Sequence, residues 1–328
     1  MFDVSEEDLR NSFTDEFGVQ YSQDGTMLLQ GNKELTDYTI RDGVRRICSL
    51  AFSNSQLEFI DFPESLEVIG TGAFSGSMRL LDVDFPSSLK EIEARAFEGC
   101  ISFFSLDLPS SLEKIGRFAF AGCTAVPSVT IPYSVCEIID NPFCASGIFI
   151  DSESPDFYSD PYALYDYTRT KLLSYFGMTQ GNHRYKVQES VEEICPFAFA
   201  HSFVSEVTLP KGLRKVGHFA FRDSKDLKSV EFGNSLEEIG NYSFAGCDKL
   251  KSLIFPASLR RLGEGSLYLC ESLRDITFLS PDPQIEGLKW LDSLENLQTI
   301  HVPSGSAKRY AELFDDNLSG KLSEFSQD

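Results

Sequence analysis

A phenylalanine returns along this chain at a fixed interval. Phe74, Phe97, Phe120 and Phe143 stand 23 residues apart, and after a break Phe199, Phe221 and Phe244 resume at 22 and 23, with Leu267 closing the series. Pro63, Pro86, Pro109 and Pro132 keep the same interval, and Pro210 and Pro256 stand 46 apart with Gly233 at the midpoint. A chain patterned this way does not fold around one central core. Each copy is too short to bury its own apolar side, so it must stack on a neighbour, and the stack grows in one dimension. For 328 residues this replaces the two or three globular domains that length alone would imply with one continuous solenoid body.

One copy, LLDVDFPSSLKEIEARAFEGC at 80–100, carries the logic. Leu80, Val83 and Phe85 alternate with Asp82 and Asp84, the period of a half-buried strand, and Pro86 ends it. Ser-Ser-Leu-x-x-Ile then turns the chain, and Ala-Phe lays a ring inside next to a small side chain, as a narrow close-packed core needs. A period between 20 and 29 residues is the mark of leucine-rich repeats. The expected fold is an α/β-type repeat solenoid: short parallel strands stacked into one curved sheet, loop and turn elsewhere, and short capping helices at both ends.

Five segments follow in order. Residues 1–17 place Leu9, Phe13 and Phe17 at helical spacing behind a Ser5/Asp8 capping box, which predicts an amphipathic N-terminal cap. Residues 18–144 open with a hairpin turned at Asp24-Gly25 and continue as the first repeat run. Residues 145–184 break the rhythm with a tyrosine-rich spacer hairpin. This spacer aligns with the module that opens the chain, Tyr165 falling on Tyr21, Leu172-Leu173 on Leu28-Leu29, Tyr185 on Tyr38 and Ile194 on Ile47. Residues 185–302 are the second run, and 303–328, with Tyr310, Leu313 and Phe314, the C-terminal helical cap.

Charge excludes several functions. Lys plus Arg number 29 against 50 Asp plus Glu, a formal charge of −21 that repels nucleic acid and anionic lipid. No apolar run is long enough to span a bilayer. The opening MFDVSEEDLRNSF has neither the basic nor the apolar region of a signal peptide. A chain starting at Met1 is therefore expected in the cytoplasm, and a longer one with a leader at the cell surface or secreted. A monomer is expected.

Catalytic and metal motifs are absent. His183, His201, His218 and His301 share no metal-ligand spacing, and there is no P-loop, G-x-S-x-G elbow or H-E-x-x-H. No nucleophile, base and oxyanion donor assemble, so neither an enzyme nor a cofactor is expected. The eight cysteines follow the repeat: Cys100 and Cys123, and Cys247 and Cys270, lie 23 apart in a slot that Ser77, Ser202 and Ser224 also fill. That pattern predicts buried free thiols, with disulfides between neighbouring rungs as the alternative.

Two surfaces are candidates for recognition. The outward positions of the strands include Phe59, Asp61, Asp82, Asp84 and Asp107 in the first run, and Glu206 and Glu231 among mostly hydroxylated residues in the second. Carboxylates opposed on neighbouring strands repel, so their alignment fits a basic partner or a cation such as calcium, or else a solvated acidic face. The second surface is the spacer, whose Tyr158, Tyr162, Tyr165, Tyr167 and Tyr175 fit either an interface or a hairpin core.

The unit L-x-x-I/V-x-[F/L]-P-x-S-L-x-x-I-G-x-x-A-F-x-G-C, seen in FFSLDLPSSLEKIGRFAFAGC and LKSVEFGNSLEEIGNYSFAGC, resembles the BspA-like leucine-rich repeat from about Gly18 to Tyr310. Gly233 in the proline slot, Ser243 for Ala and Leu267 for Phe depart from it compatibly. The resemblance implies a non-catalytic scaffold that binds a protein or glycan, in a family of mostly surface and secreted proteins linked to adhesion. The alternative is an intracellular structural repeat protein with no adhesive role.

Overall fold

The computed structural model describes residues 4–177, 183–281, 291, 294–314 and 316–326. The chain divides into two compact units, Met1–Tyr167 and Thr168–Asp328, each a β-solenoid of stacked parallel strands. Three helices occur among the described residues: Glu6–Arg10, Ala307–Ala311 and Asp316–Ser319.

Most repeats contribute two short strands, one more than the alternating pattern predicts, and those at 80–100 and 103–123 keep only the second, Glu91–Ile92 and Lys114–Ile115. In unit 1 dipeptides ending in Ile form a parallel ladder through Arg46–Ile47, Val68–Ile69, Glu91–Ile92, Lys114–Ile115 and Glu137–Ile138. The segment read as a turn is thus a sheet of its own. Strands of two residues are too short to display any period-2 signal, which is why they read as loop. The expected outward strands form the other ladder, at Asp37–Thr39 with Phe59–Asp61 and at Ser128–Ile131 with Phe149–Ser152. Unit 2 repeats the scheme, with Glu193–Ile194, Lys215–Val216, Glu238–Ile239 and Arg261–Leu262 on one side. On the other side stand two outward sheets, His183–Lys186 to Ser229–Glu231 and Ser252–Phe255 to Leu322–Phe325.

The recurring phenylalanine is the spine of both stacks. Phe52, Phe74, Phe97, Phe120 and Phe143 lie face to face with centroids 5.5, 5.2, 5.5 and 5.8 Å apart. In unit 2 Tyr175, Phe199, Phe221 and Phe244 continue the pattern at 4.8, 4.6 and 4.9 Å. Backbone bonds hold the rungs together at this slot, for example from the Phe97 N–H to the Ala119 carbonyl at 2.8 Å. The small residue three places on has its own partner: the thiols of Cys123 and Cys247 donate to the carbonyls of Phe97 and Phe221, at 3.1 and 3.2 Å, and the Ser77 hydroxyl to Phe52 at 2.8 Å. Cys and Ser interchange there because both are small donors that satisfy a carbonyl buried by the stack. All eight cysteines are free thiols.

Close approach of rungs also explains the Ile-Gly pair. A Cβ at Gly240 would stand 2.6 Å from the His218 backbone nitrogen, and one at Gly116 2.5 Å from that of Ala94.

The ends differ from expectation. The capping box is present, Ser5 accepting from the Asp8 N–H at 3.1 Å, yet the helix stops at Arg10 and buries nothing. Phe13 lies instead in a strand paired antiparallel with Gln20–Tyr21, stacked on Tyr21, with Arg41 over it at 5.0 Å. Leu9 and Phe17 are exposed. At the other end Tyr310 and Phe314 are buried, whereas Leu313 is exposed. Beyond them Leu322–Phe325 adds a parallel strand on Thr299–Pro303.

Candidate functional site

The outward face of unit 1 is built by register. Parallel pairing sets Asp37 beside Phe59 and Thr39 beside Asp61, an isolated bridge joins Phe59 to Asp82, and Ser128 and Thr130 stand beside Phe149 and Asp151. Their inward neighbours Tyr38, Ile60, Val83, Leu106, Val129 and Ile150 are all buried, so the alternation that makes the core also turns the aspartates outward. Asp61, Asp84 and Asp107 are exposed, Asp82 is half-buried, and Phe59 and Phe149 expose about half their surface, 50% and 48%.

The ladder lapses where these carboxylates align: residues 83–85 and 105–108 belong to no strand. Like charges directly opposed across strands disfavour pairing. Asp82 also accepts from the Val83 N–H at 2.9 Å, so a side chain takes a donor the ladder would use. Asp61 accepts from the Thr39 hydroxyl at 2.8 Å, Asp107 from that of Ser105 at 3.3 Å, and Asp151 from that of Ser159 at 3.2 Å and from the N–H of the next residue, Ser152, at 2.8 Å. Among the described residues none of Asp37, Asp61, Asp82, Asp84, Asp107 and Asp151 forms an ion pair. On the opposite ladder charges are matched, Arg46 with Glu93 at 2.7 Å and Lys114 between Glu91 and Glu137 at 3.4 and 3.5 Å.

The outward face of unit 2 is different. Glu206 stands next to Arg184 on the paired strand and is bridged by it at 3.0 Å, and Asp275 lies 3.9 Å from His301. Glu231 is exposed and accepts from Thr208 at 3.3 Å. Glu206 therefore does not offer a free charge, a pairing across 22 positions that only the register makes visible.

The spacer tyrosines do not form one surface. Tyr165 is buried against Asp160, to which its hydroxyl donates at 3.0 Å, and Tyr175 is buried against Phe199, its hydroxyl 2.5 Å from His183 Nδ1. Both are core residues, Tyr165 as its alignment with the buried Tyr21 implies. Of the five candidate spacer tyrosines, Tyr162 and Tyr167 are the exposed ones, and Tyr158 is half-buried.

No group of three or more His, Cys, Asp or Glu side chains with metal-binding geometry occurs among the described residues. His218 Nδ1 accepts from the Asn241 N–H at 2.9 Å, and His201 lies 3.8 Å from Asp223. No described helix is long and apolar enough to cross a membrane.

With this geometry in hand, comparison with known proteins gives a consistent picture. No curated protein sequence matches the chain. Among solved structures, the pneumococcal vaccine antigen PcpA is similar, with 20% identity, 97% of this chain and 98% of that one covered, and a TM-score of 0.67. A leucine rich cell surface protein from Faecalibacterium prausnitzii matches at 21% identity over 91% and 96%, with a TM-score of 0.70. A leucine-rich repeat protein from Eubacterium ventriosum matches at 17% identity over 90% and 76%, with a TM-score of 0.64. The pattern of the BspA type leucine rich repeat region matches in six copies, over residues 28–149 and 192–320. The chain belongs to the BspA-type leucine-rich-repeat family.

Proposed function

We propose that the chain is a non-catalytic binding scaffold whose unit 1 face takes a protein with a basic surface. One observation carries this reading: six aspartates project from one face without a cation among them, while the opposite ladder of the same unit pairs its charges. Unpaired acids on a rigid stack attract a cationic partner and set its orientation. Phe59 and Phe149, half exposed on that face, supply the apolar contact that charge alone lacks. Adhesion at a cell surface is the setting we favour, since the Faecalibacterium prausnitzii protein with this fold is a cell surface protein.

The test immobilises the whole chain and measures capture of a lysine-rich peptide across a salt series. Reversing Asp84 and Asp107 to Lys is expected to weaken capture by about tenfold or more and to flatten its salt dependence. Reversing Glu34 and Glu113, exposed acids outside that face, changes net charge equally and is expected to do neither. Equal losses from both pairs would reduce the effect to bulk charge and overturn the reading.

A further inference from the structure

The outward face of unit 2 contains a groove of about 410 Å³. It opens where the ladder changes hands: Ser229–Glu231 ends one parallel sheet and Ser252–Phe255 begins the next, so the two strands belong to separate sheets. Gly233 follows Phe232, one of the lining residues. It stands in the proline slot, and a Cβ there would lie 2.3 Å from the Pro210 carbonyl oxygen, so this rung closes tightly on the one before it.

The groove has a polar and an apolar half. Thr208, Ser229, Glu231 and Ser252 line the first. Ile254, 57% exposed, lines the second with Phe232, Pro256 and Leu279. The Ser229 and Ser252 hydroxyls are exposed and make no hydrogen bond to the rest of the described chain. Glu231 keeps one carboxylate oxygen free, its other accepting from Thr208 at 3.3 Å. Glu206 is already neutralised by Arg184. A lysine or arginine side chain would thus find a single unmatched carboxylate, whereas a ligand with several hydroxyls finds three hydroxyl groups and a charged acceptor within one groove.

We propose that this groove is a subsite for one pyranose ring of a neutral saccharide. Such a ring carries hydroxyls around its rim and C–H groups on its faces, matching hydroxyls and a carboxylate on one side and Ile254 with Phe232 on the other. The volume lies in the range of small-ligand sites, and the polar groups are few and convergent, which is how such sites fix orientation. A half-open groove of this kind binds one ring weakly, on the order of 1 mM, and gains strength when several sites engage one glycan.

The experiment titrates the intact chain with the methyl glycosides of glucose, galactose, mannose and N-acetylglucosamine, reading saturation-transfer and chemical-shift changes. At least one is expected to bind saturably. Glu231→Gln is expected to weaken that binding about tenfold and Ser252→Ala about threefold, since one loses a charge-assisted and the other a neutral hydrogen bond. Both side chains are exposed, and far-UV circular dichroism checks that the variants fold. Reversing Asp84 and Asp107 is expected to leave saccharide binding unchanged, which keeps this result separate from that of the unit 1 face. Saturable binding by none of the four glycosides, or binding indifferent to both groove variants, overturns the proposal.

Discussion

Phe97 sits midway along the unit 1 spine, and replacing it by alanine tests the packing argument most directly. Its ring is 0% exposed and meets four others, Phe74 at 5.2 Å, Phe120 at 5.5 Å, Phe85 at 5.7 Å and Phe103 at 5.8 Å. Phe→Ala in a core costs about 3 to 5 kcal/mol. Ring pairs add roughly 0.5 to 1.5 kcal/mol each beyond buried area, and two of these lie face to face with neighbouring rungs, so the expected loss is about 4 to 5 kcal/mol. In a stack coupled only to nearest neighbours, the cavity weakens both interfaces of its rung. For a unit of this size the loss lowers Tm by roughly 10 to 15 °C. Thermal circular dichroism and denaturant titration measure it, with Phe104→Ala as control. Phe104 is the residue after Phe103 and 53% exposed, so its truncation is expected to stay within about 0.5 kcal/mol. Equal shifts from the two variants would refute the assignment of the recurring phenylalanine to the interior.

Two further outcomes test the slots around that spine. Maleimide is expected to label one thiol per native chain, Cys136, and all eight after denaturation, because the other seven are buried. Burial pushes the thiols of Cys123 and Cys270 up to about 12, and those of Cys100 and Cys247 well above the ordinary value, so little thiolate forms at neutral pH. A second fast-reacting thiol in intact-mass analysis would contradict this. Gly240→Ala, which drives a methyl into the His218 backbone, is expected to cost about 1 to 3 kcal/mol, while Gly212→Ala, with nothing within 4 Å, is expected to be neutral or slightly stabilising. Denaturant midpoints that fail to separate the two would refute the close-approach reading.

The interior of this protein was legible because its residues obey the same constraint in every copy. A phenylalanine that stacks on its counterpart in each neighbouring rung must recur at the repeat interval, and so must the Cys or Ser that satisfies the buried carbonyl next to it. Other features leave no such trace. The Glu91–Ile92 type of strand is too short for alternation to show. Leu9, Phe13 and Phe17 satisfy helical spacing, yet Phe13 gains more by stacking on Tyr21 beneath Arg41 than by extending a five-residue helix with nothing to pack on. Tyr165 and Tyr167 differ by two positions, yet the strand Ala163–Asp166 ends between them, so one is held inward and the other stands exposed in the turn that follows.

The outward positions follow a different rule, and their function depends on it. An inward residue is constrained by two neighbouring rungs, so substitution there is felt as lost stability. Asp84 and Ser229 touch no core, and the constraint on them is only what adjacent rungs tolerate: hydroxyls and paired charges keep the ladder joined, as between Arg184 and Glu206, while aligned carboxylates let it part, as between Asp61, Asp84 and Asp107. Parting costs little here because the ladder on the opposite side and the phenylalanine spine hold the rungs regardless. A solenoid with redundant connections between rungs can therefore carry an unmatched acidic row on one unit and an open hydroxylated groove on the other, and both are surfaces that stability alone would not select.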